Sequence, residues 1–308
     1  EEEPVLRAVQ VVVDEGVARP ILIGRPEVIE RRIEHLGLRI AAGTDFEVTD
    51  PDDDARYDDY VAFYQELMGR NGVSPRAASD IVRTRRTVIG TIMLAKGDAD
   101  ALLAGPVGTF AGHLRHIVDV IGLDDRMREA STLHALVLDQ GPLFFSDTNV
   151  SDEPDPAEIA ATTLAAAEIV RSFGIEPKVA LLSASDFGSR ITPSTQRMRD
   201  ALDLITKAEP GLEVDGEMHA DSALVPVIRE RLLPQSRLIG AANLLIMPSL
   251  DAANIGYNLV KAITSAVAIG PILIGPNRSA HIMTPSMTTR GIINMSAVAC
   301  AQATHVPR

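Results

Sequence analysis

Short apolar runs alternate along the chain with longer segments whose apolar residues recur at helical spacing. The apolar runs predict buried strands at residues 20–24, 101–104, 133–138, 143–145, 179–183, 244–247 and 268–275. The helical spacing predicts helices at residues 6–15, 26–36, 57–68, 74–96, 157–173, 193–207 and 257–267. Strands that alternate with such helices predict an α/β fold whose sheets are mainly parallel.

The most informative local pattern lies in residues 244–275. Its first strand ends at Pro248, small polar residues follow, and Gly256 precedes the predicted helix. Such a junction suits an anion or a cofactor, because glycine permits close approach and a helix N-terminus offers unpaired N–H groups. We therefore expect ligand contacts from Asn254 and Tyr257, although a helix cap and a core tyrosine are the ordinary structural roles of such residues.

A hydroxyl-rich loop from Ser183 to Ser189 follows the strand predicted at 179–183. Ligands of α/β proteins bind beyond the carboxyl ends of parallel strands, so this loop is expected to face a ligand. The structural alternative is a turn that uses serine and glycine for local hydrogen bonds. Both interpretations stay open at this point.

Composition narrows the classes of function. The 308 residues, 46% of them hydrophobic, can bury one large core or two medium ones. The net charge of −13 argues against nucleic acid and against an anionic membrane surface, and no apolar run is long enough to span a bilayer. The single cysteine, Cys300, excludes a disulfide framework and a cysteine zinc site, and it indicates a reducing cytoplasm.

The charged clusters fit more than one role. Arg83, Arg85 and Arg86 either contact the phosphates of a nucleotide-bearing ligand or form a solvated face. The acidic run at 50–54 has no accompanying histidine, which favours a solvated loop over a metal site. No metal-ligand spacing relates His134, His219 and His281, so we predict no metal centre.

Eight blocks of the sequence, in order, resemble the phosphate acetyl/butyryl transferase family. The most specific are PSLDAANIGYNLVKAI at 248–263 and AIGPILIGPN at 268–277. The others lie at residues 16–24, 97–105, 113–122, 175–183, 214–226 and 288–291. The resemblance therefore extends over nearly the whole chain.

This resemblance implies a three-layer, isocitrate dehydrogenase-like fold of two α/β lobes with mainly parallel sheets and an interlobe cleft. It places residues 1–141 and 289–308 in the first lobe and residues 142–288 in the second. The C-terminal segment 289–304 is expected to return to the first lobe. The apolar pattern alone does not predict that crossover.

The sequence departs from active members of the family at one decisive place. Those members transfer acetyl between coenzyme A and phosphate with a Ser-Arg-Gly motif, which handles the phosphate, and an aspartate base a few residues later. Here the motif is Thr289-Arg290-Gly291, and Ser296 occupies the position of the base. A serine hydroxyl does not accept a thiol proton near neutral pH. Met68 also stands where active members carry an arginine that contacts the coenzyme.

The resemblance and the local patterns together predict an acetyl-CoA site that contains no catalytic residue. In the family, the arginine of the block at 113–122 is implicated in coenzyme A binding, and Arg115 matches it. Arg290 is the strongest candidate, with an interlobe salt bridge as its alternative role. The full set of predicted contacts is Arg115, Ser183, Ser185, Ser189, Asn254, Tyr257, Pro271, Thr289 and Arg290.

A coenzyme A fold without its base resembles the C-terminal domain of bacterial hybrid NADP-dependent malic enzymes. The Ser-Asp-Phe-Gly-Ser form of 185–189 and the acidic start without methionine fit such a domain. The resemblance implies a cytoplasmic acetyl-CoA sensor that regulates a malic enzyme domain of the same polypeptide, in a homo-oligomer that is at least a dimer. NADP and a divalent metal would belong to that other domain, and the sensor would need no cofactor.

Two other functions stay open. A working phosphate acetyltransferase would need a different base, for which Glu217 and Asp221 are the candidates. A domain that builds the oligomer and binds no ligand is the third hypothesis. Formation of acetyl phosphate would identify a working acetyltransferase, and stabilisation by a ligand would exclude a domain that binds no ligand.

Overall fold

The computed structural model describes residues 1–304, and within them it contains twelve α-helices and ten β-strands. The helices are α1 (Glu3–Asp14), α2 (Pro26–His35), α3 (Tyr57–Met68), α4 (Pro75–Thr84), α5 (Arg86–Lys96), α6 (Phe110–Ile121), α7 (Pro156–Ser172), α8 (Pro193–Ala208), α9 (Ala220–Leu224), α10 (Pro226–Leu232), α11 (Leu250–Ile263) and α12 (Thr289–Ala303). The strands are β1 (Ile21–Ile23), β2 (Glu47–Thr49), β3 (Leu102–Ala104), β4 (Ser131–Leu138), β5 (Gly141–Ser146), β6 (Lys178–Leu182), β7 (Glu213–Met218), β8 (Leu244–Ile246), β9 (Val267–Ile274) and β10 (Ala280–Ile282).

The chain divides into two compact units. The first contains Glu1–Gly122 and the residues from Pro276 onward, and the second contains Leu123–Gly275. Both boundaries come earlier than those predicted at 141/142 and 288/289. The boundary predicted at 141/142 differs because β4 pairs with β5 and β9 in the sheet of the second unit. The boundary predicted at 288/289 differs because β10 pairs with β3 in the first unit.

The second unit is built on a six-stranded sheet with the order β7-β6-β8-β5-β4-β9. The strand β4 runs antiparallel to both of its neighbours, β5 and β9, and the other three strand pairings are parallel, so the sheet is mostly parallel. Because successive side chains of a strand point to opposite faces, one face presents Phe145 and the other presents Ser146. The Phe145 face packs against Tyr257 of α11, and Ser146 lines a small cavity with Ile159 of α7.

The first unit contains two short parallel strand pairs, β1 with β2 and β3 with β10. Its helices α3, α4 and α5 share one apolar cluster, which is centred on Tyr60, Val82 and Ile92. The C-terminal helix α12 packs with α1 through Ala8 and Ile292. The expected return of residues 289–304 to the first part of the chain is thus present as a helix–helix contact.

Two predicted helices were wrong in extent. The helix predicted at 74–96 is interrupted at Arg85, whose backbone is extended (φ −110°, ψ 91°), so α4 and α5 are separate. The helix predicted at 257–267 begins instead at Leu250, because the Ser249 hydroxyl accepts a hydrogen bond from the Ala252 amide and caps α11. Gly256 therefore lies inside the helix, where it faces the Met247 side chain. The other predicted elements are confirmed, with ends that differ by a few residues.

Candidate functional site

The carboxyl ends of four strands of the second unit meet at one edge of its sheet. The strands β7, β6, β8 and β5 are parallel, and their register aligns Leu181, Ile246 and Ser146 across the sheet. The segments that follow these ends are the loop 183–189, the residues after Met218, the start of α11 and the loop 147–151. This edge is where α/β folds place ligands.

The loop 183–189 is held by a buried carboxylate, that of Glu217. Its Oε1 accepts hydrogen bonds from the Ser185 hydroxyl (2.8 Å) and the Gly188 amide (2.9 Å), and its Oε2 accepts one from Arg199 Nε (2.9 Å). Burial alone would raise the pKa of Glu217, but the hydrogen bonds from Arg199, Ser185 and Gly188 together hold it below its ordinary value. Glu217 is therefore an anchor of the loop, and its oxygens are too well occupied for the role of a thiol base.

The same loop contains a residue with an uncommon backbone conformation. Phe187 has a φ of 46°, in the left-handed region that a bulky side chain seldom adopts. Its amide donates to the main-chain oxygen of Glu217 (2.8 Å), and its ring packs on the apolar core of the second unit. Such strain persists where the surroundings fix it, and it is frequent at ligand sites.

Ser183 and Ser189 differ in how their hydroxyls are used. The Ser189 Oγ accepts a hydrogen bond from the Asp186 amide (3.0 Å) and lies 3.3 Å from Ser185 Oγ. The Ser183 Oγ is buried and has no partner within residues 1–304. The loop thus combines both interpretations of its sequence, because Ser185 and Ser189 stabilise the turn while Ser183 retains unused hydrogen-bonding capacity.

The loop 147–151 is organised by another internal carboxylate. Asp147 accepts hydrogen bonds from the Thr132 hydroxyl (2.5 Å) and from the amides of Asn149 (3.0 Å) and Ser151 (3.0 Å). This arrangement resembles an anion nest that the chain fills with its own side chain. In the sequence, the local signal of this carboxylate is an aspartate directly after an apolar strand. The groups that donate hydrogen bonds to Asp147 could not be predicted.

Three predicted contacts lie around a buried histidine, His134. Its Nδ1 is 2.7 Å from the Thr148 hydroxyl, and its ring centroid is 4.2 Å from that of Tyr257. Burial lowers the pKa of His134 to about 3 and raises that of Tyr257 to about 12. Asn254 Nδ2 donates to the main-chain oxygen of Thr148 (3.3 Å), and Pro271 follows a glycine that approaches the His134 ring.

The structure gives each of these three residues a structural role, and their contact with acetyl-CoA stays a prediction. Tyr257 is buried in the core, and Ser249 rather than Asn254 caps α11. Pro271 is buried within β9. Asn254 is the exposed member of the three, and its amide already bonds to the loop 147–151.

The predicted phosphate-handling residues of the first unit lie in the first turn of α12. The Thr288 hydroxyl caps this helix by accepting a hydrogen bond from the Gly291 amide (3.1 Å). Thr289 and Arg290 are its first two residues. The Arg290 side chain is exposed and makes no ion pair or hydrogen bond within the described part of the chain. A guanidinium beside a helix N-terminus is well suited to an anion.

Ser296, where the resemblance predicts the family's base, lies one helical turn after Ile292. Its hydroxyl donates to the main-chain oxygen of Ile292 (2.9 Å). The proton of the hydroxyl is therefore used within α12, and no carboxylate stands in its place. The helix contains Arg290 and no aspartate or glutamate.

The remaining predicted contact, Arg115, lies on α6. Its side chain is 80% exposed, and its only ion pair among residues 1–304 is with Asp119 at 3.6 Å. Nearby, His113 accepts a hydrogen bond from Thr87 at Nδ1 (2.7 Å) and donates from Nε2 to the main-chain oxygen of Val107 (3.0 Å). That bond ties α6 to the glycine-bearing loop at 105–108.

Two contacts bear on whether Arg83, Arg85 and Arg86 bind the phosphates of a ligand or form a solvated face. The Arg83 guanidinium lies 5.2 Å from the centroid of the Tyr57 ring, and Arg86 is 3.9 Å from a Glu1 carboxylate oxygen.

Within residues 1–304, no group of three or more His, Cys, Asp or Glu side chains could hold a metal ion. In the same residues, none of the helices has the length and apolar character needed to cross a membrane.

Comparison with known proteins matches a family model over residues 1–300, that of phosphate acetyl/butaryl transferase. The chain is 50% identical over 305 residues to the NAD-dependent malic enzyme of Rhizobium meliloti (strain 1021), covering 99% of this chain and 40% of that protein. It is 47% identical over 308 residues to the NADP-dependent malic enzyme of Escherichia coli (strain K12), covering 100% of this chain and 41% of that protein. The chain thus spans about two fifths of these relatives.

Among solved structures, a phosphotransacetylase from Streptococcus pyogenes superposes with a TM-score of 0.91 at 27% sequence identity. The match covers 99% of this chain and 92% of that one. The architecture and mostly parallel sheets of the two units are therefore those of a known three-layer α/β fold.

Proposed function

The chain belongs to the phosphate acetyl/butaryl transferase family. We propose that it is a regulatory domain that binds acetyl-CoA and that its α12 no longer supports acetyl transfer. The observation that carries this proposal is that the Ser296 hydroxyl, at the position where the resemblance predicts the base, donates to the main-chain oxygen of Ile292. Removing a general base costs on the order of 10²–10⁴ in rate. Binding does not need that base, so a ligand site can outlast the loss of turnover.

Two features of the described residues support ligand binding. The Arg290 guanidinium has no ion pair or hydrogen bond among residues 1–304 and lies in the first turn of α12, where the helix dipole also favours negative charge. In the second unit, Ser183 presents a buried, unused hydroxyl at the carboxyl edge of the sheet. Each feature has hydrogen-bonding capacity that residues 1–304 leave unused, and each could by itself bind a polar group of a phosphorylated thioester.

The proposed partner is a malic enzyme domain of the same polypeptide. The identities of 50% and 47% to two malic enzymes, against 27% to a phosphotransacetylase of known structure, support this assignment. In such a protein NADP and a divalent metal would be held by the other domain. Acetyl-CoA would then act as an effector, because preferential binding to one conformation shifts the equilibrium of the whole assembly.

An exposed apolar stripe on α11 supports the further proposal of a homo-oligomer. Ile255, Leu259 and Ile263 recur every four residues and are 65%, 60% and 74% exposed. Between Asp251 and Lys261 this helix carries no charge, on a chain whose net charge is −13. Two copies could therefore meet on this stripe with little electrostatic repulsion. Sedimentation of the purified chain tests it, and a monomer at all concentrations would contradict it.

Calorimetric titration with acetyl-CoA, followed by an assay for acetyl phosphate with phosphate present, tests the regulatory function. We expect saturable binding and little or no acetyl phosphate. Free coenzyme A and acetate, titrated separately, show which part of the ligand supplies the affinity. Absence of binding would contradict the proposal, and rapid formation of acetyl phosphate would identify the chain as a working acetyltransferase.

A further inference from the structure

A buried serine hydroxyl lies at the end of β5 in the second unit. Ser146 is 0% exposed, and its Oγ makes no hydrogen bond within residues 1–304. The register of the sheet places it in one row with Leu133 of β4 and Ile246 of β8, which are both apolar. A hydroxyl buried in such a row destabilises the fold unless it finds a hydrogen-bonding partner. A partner is therefore expected at Ser146.

The Ser146 side chain lines a small cavity between the end of β5 and α7. The other lining residues are four apolar ones and three with polar side chains, namely Asp147, Ser151 and Thr162. The cavity has a volume of about 20 Å³, and one water needs roughly 10–15 Å³. A water therefore fits, whereas a phosphate or a coenzyme does not.

The residues around the cavity offer both donors and acceptors. The Ser146 hydroxyl can donate a hydrogen bond. Within residues 1–304, Asp147 Oδ2 accepts only from the Ser151 amide (3.0 Å), so this carboxylate oxygen keeps capacity for a second donor. The Thr162 hydroxyl makes no hydrogen bond in the same part of the chain. Three such groups match the usual number of hydrogen bonds of a buried water.

The charges around the cavity favour a water over a cation. The Asp147 carboxylate accepts from the Thr132 hydroxyl, and it also accepts from the amides of Asn149 and Ser151. The hydrogens of these donors carry partial positive charge and already compensate the carboxylate. A neutral water can direct one hydrogen to Asp147 and a lone pair to Ser146, so it satisfies both groups.

We propose that this cavity binds one ordered water, which accepts a hydrogen bond from Ser146 and donates one to Asp147. Such a water joins β5, the loop 147–151 and α7. The main-chain oxygen of Thr148, in the same loop, accepts the hydrogen bond of Asn254 Nδ2 (3.3 Å). The water is therefore an internal support of a loop at the carboxyl edge of the sheet, and it does not depend on acetyl-CoA binding.

Ser131 provides a matched control on the same sheet. It is 1% exposed, and its Oγ also has no partner within residues 1–304. It lies two residues before Leu133, the register partner of Ser146, so the side chains of both serines point to the same face. Ser131 does not line the cavity. The two serines therefore differ in their access to the proposed water.

The direct test is a crystal structure of the full 308-residue chain at a resolution that shows ordered water. We expect one peak of electron density within about 3.0 Å of Ser146 Oγ. A thallium(I) soak identifies the occupant, because thallium replaces monovalent cations and scatters anomalously. Absence of the peak, or an anomalous thallium signal at its position, would overturn the proposal.

Thermal unfolding of the same chain tests the hydrogen bond in solution. A hydroxyl that is satisfied by water contributes to stability, so Ser146→Ala should lower the unfolding midpoint by about 2–4 °C. Removing a hydroxyl that has no partner would instead raise the midpoint. Ser131→Ala should not lower it. A raised or unchanged midpoint in Ser146→Ala, or an equal fall in Ser131→Ala, would contradict the proposed water.

Discussion

The loop 183–189 and the first turn of α12 both carry residues predicted to contact acetyl-CoA, but their polar groups have different partners. In the loop, Ser185 and Gly188 already bond to Glu217, whose side chain is 1% exposed. In α12, the Arg290 guanidinium is exposed and bonds to nothing within residues 1–304. The loop is preorganised by the protein, whereas the arginine keeps its full capacity for an anion.

This contrast separates two kinds of mutational effect. Groups that are satisfied internally contribute to stability, and their loss leaves buried donors or charges without partners. Groups that are unsatisfied in the protein contribute to stability only weakly, and their loss is felt when a ligand arrives. The predictions below test this division, beginning with the largest expected effect.

Replacing Glu217 with alanine should destabilise the second unit the most. The change strips Arg199, Ser185 and the Gly188 amide of their shared acceptor, and breaking such a buried ion pair costs about 3 kcal/mol. Urea unfolding of the full chain measures the loss. The control is Glu153→Ala, because Glu153 is 76% exposed and lies 3.5 Å from Arg197, and its loss should stay within about 0.5 kcal/mol. Equal losses in the two variants would contradict the anchoring role of Glu217.

Replacing Arg290 with glutamate should act on affinity and spare stability. The reversal of charge at a helix N-terminus that meets phosphate should weaken acetyl-CoA binding by about 30-fold, equivalent to about 2 kcal/mol. Arg76→Glu is a matched control, because Arg76 is also exposed and is also the second residue of its helix, α4. Calorimetry should detect the loss only in Arg290→Glu. Unchanged affinity in that variant would remove Arg290 from the site.

The sequence was sufficient for those elements whose signals are local. The proline and capping residues that start α7 and α8, and the glycine that follows α1, mark helix ends through contacts within four residues, and these ends are confirmed. The break at Arg85 has no such mark, since no proline or glycine stands there. The pairing of β4 with β9 joins residues far apart in the chain, so the boundary between the units could not be predicted from local pattern.

The candidate site divides in the same way. The hydroxyls of 183–189 and the motif at 289–291 are visible as residue types at recognisable positions. The partners of Glu217, Asp147 and His219 come from other strands and loops, and no spacing in the sequence announces them. Tyr257 has a predicted ligand contact that stays untested, and its packing against His134 and Phe145, which the sequence did not indicate, makes it a core residue.

Acidification should weaken both units through buried histidines. Burial lowers the pKa of His134 in the second unit to about 3 and that of His281 in the first to about 4. In the unfolded chain both would take up protons near the ordinary value of about 6.5, so the unfolded state binds more protons as the pH falls below it. Each group should therefore cost about 1.4 kcal/mol of unfolding free energy per pH unit between about 6 and 4.

Urea unfolding at several pH values measures this slope. His134→Gln, whose side chain cannot be protonated, should reduce the slope of unfolding free energy against pH by the contribution of one histidine. The substitution also lowers the stability at neutral pH. His35→Gln removes an exposed histidine and should leave the slope as it is. A slope that is the same in His134→Gln and in the wild type would show that His134 is protonated equally well in the folded chain.

Arg115 should show the smallest effect of the four. Its side chain is 80% exposed and, among residues 1–304, pairs only with Asp119 at 3.6 Å, so Arg115→Gln should change stability by less than about 0.5 kcal/mol. If Arg115 contacts a phosphate of coenzyme A from this solvated position, its loss should weaken acetyl-CoA binding by about fivefold, or about 1 kcal/mol. Arg115→Lys should retain most of the affinity, because a solvated cation acts on phosphate mainly as a point charge. Calorimetry at low and high salt measures the acetyl-CoA affinity of both variants. A loss of affinity in Arg115→Gln as large as that in Arg290→Glu would show that the exposure of a side chain does not predict its contribution to binding in this protein.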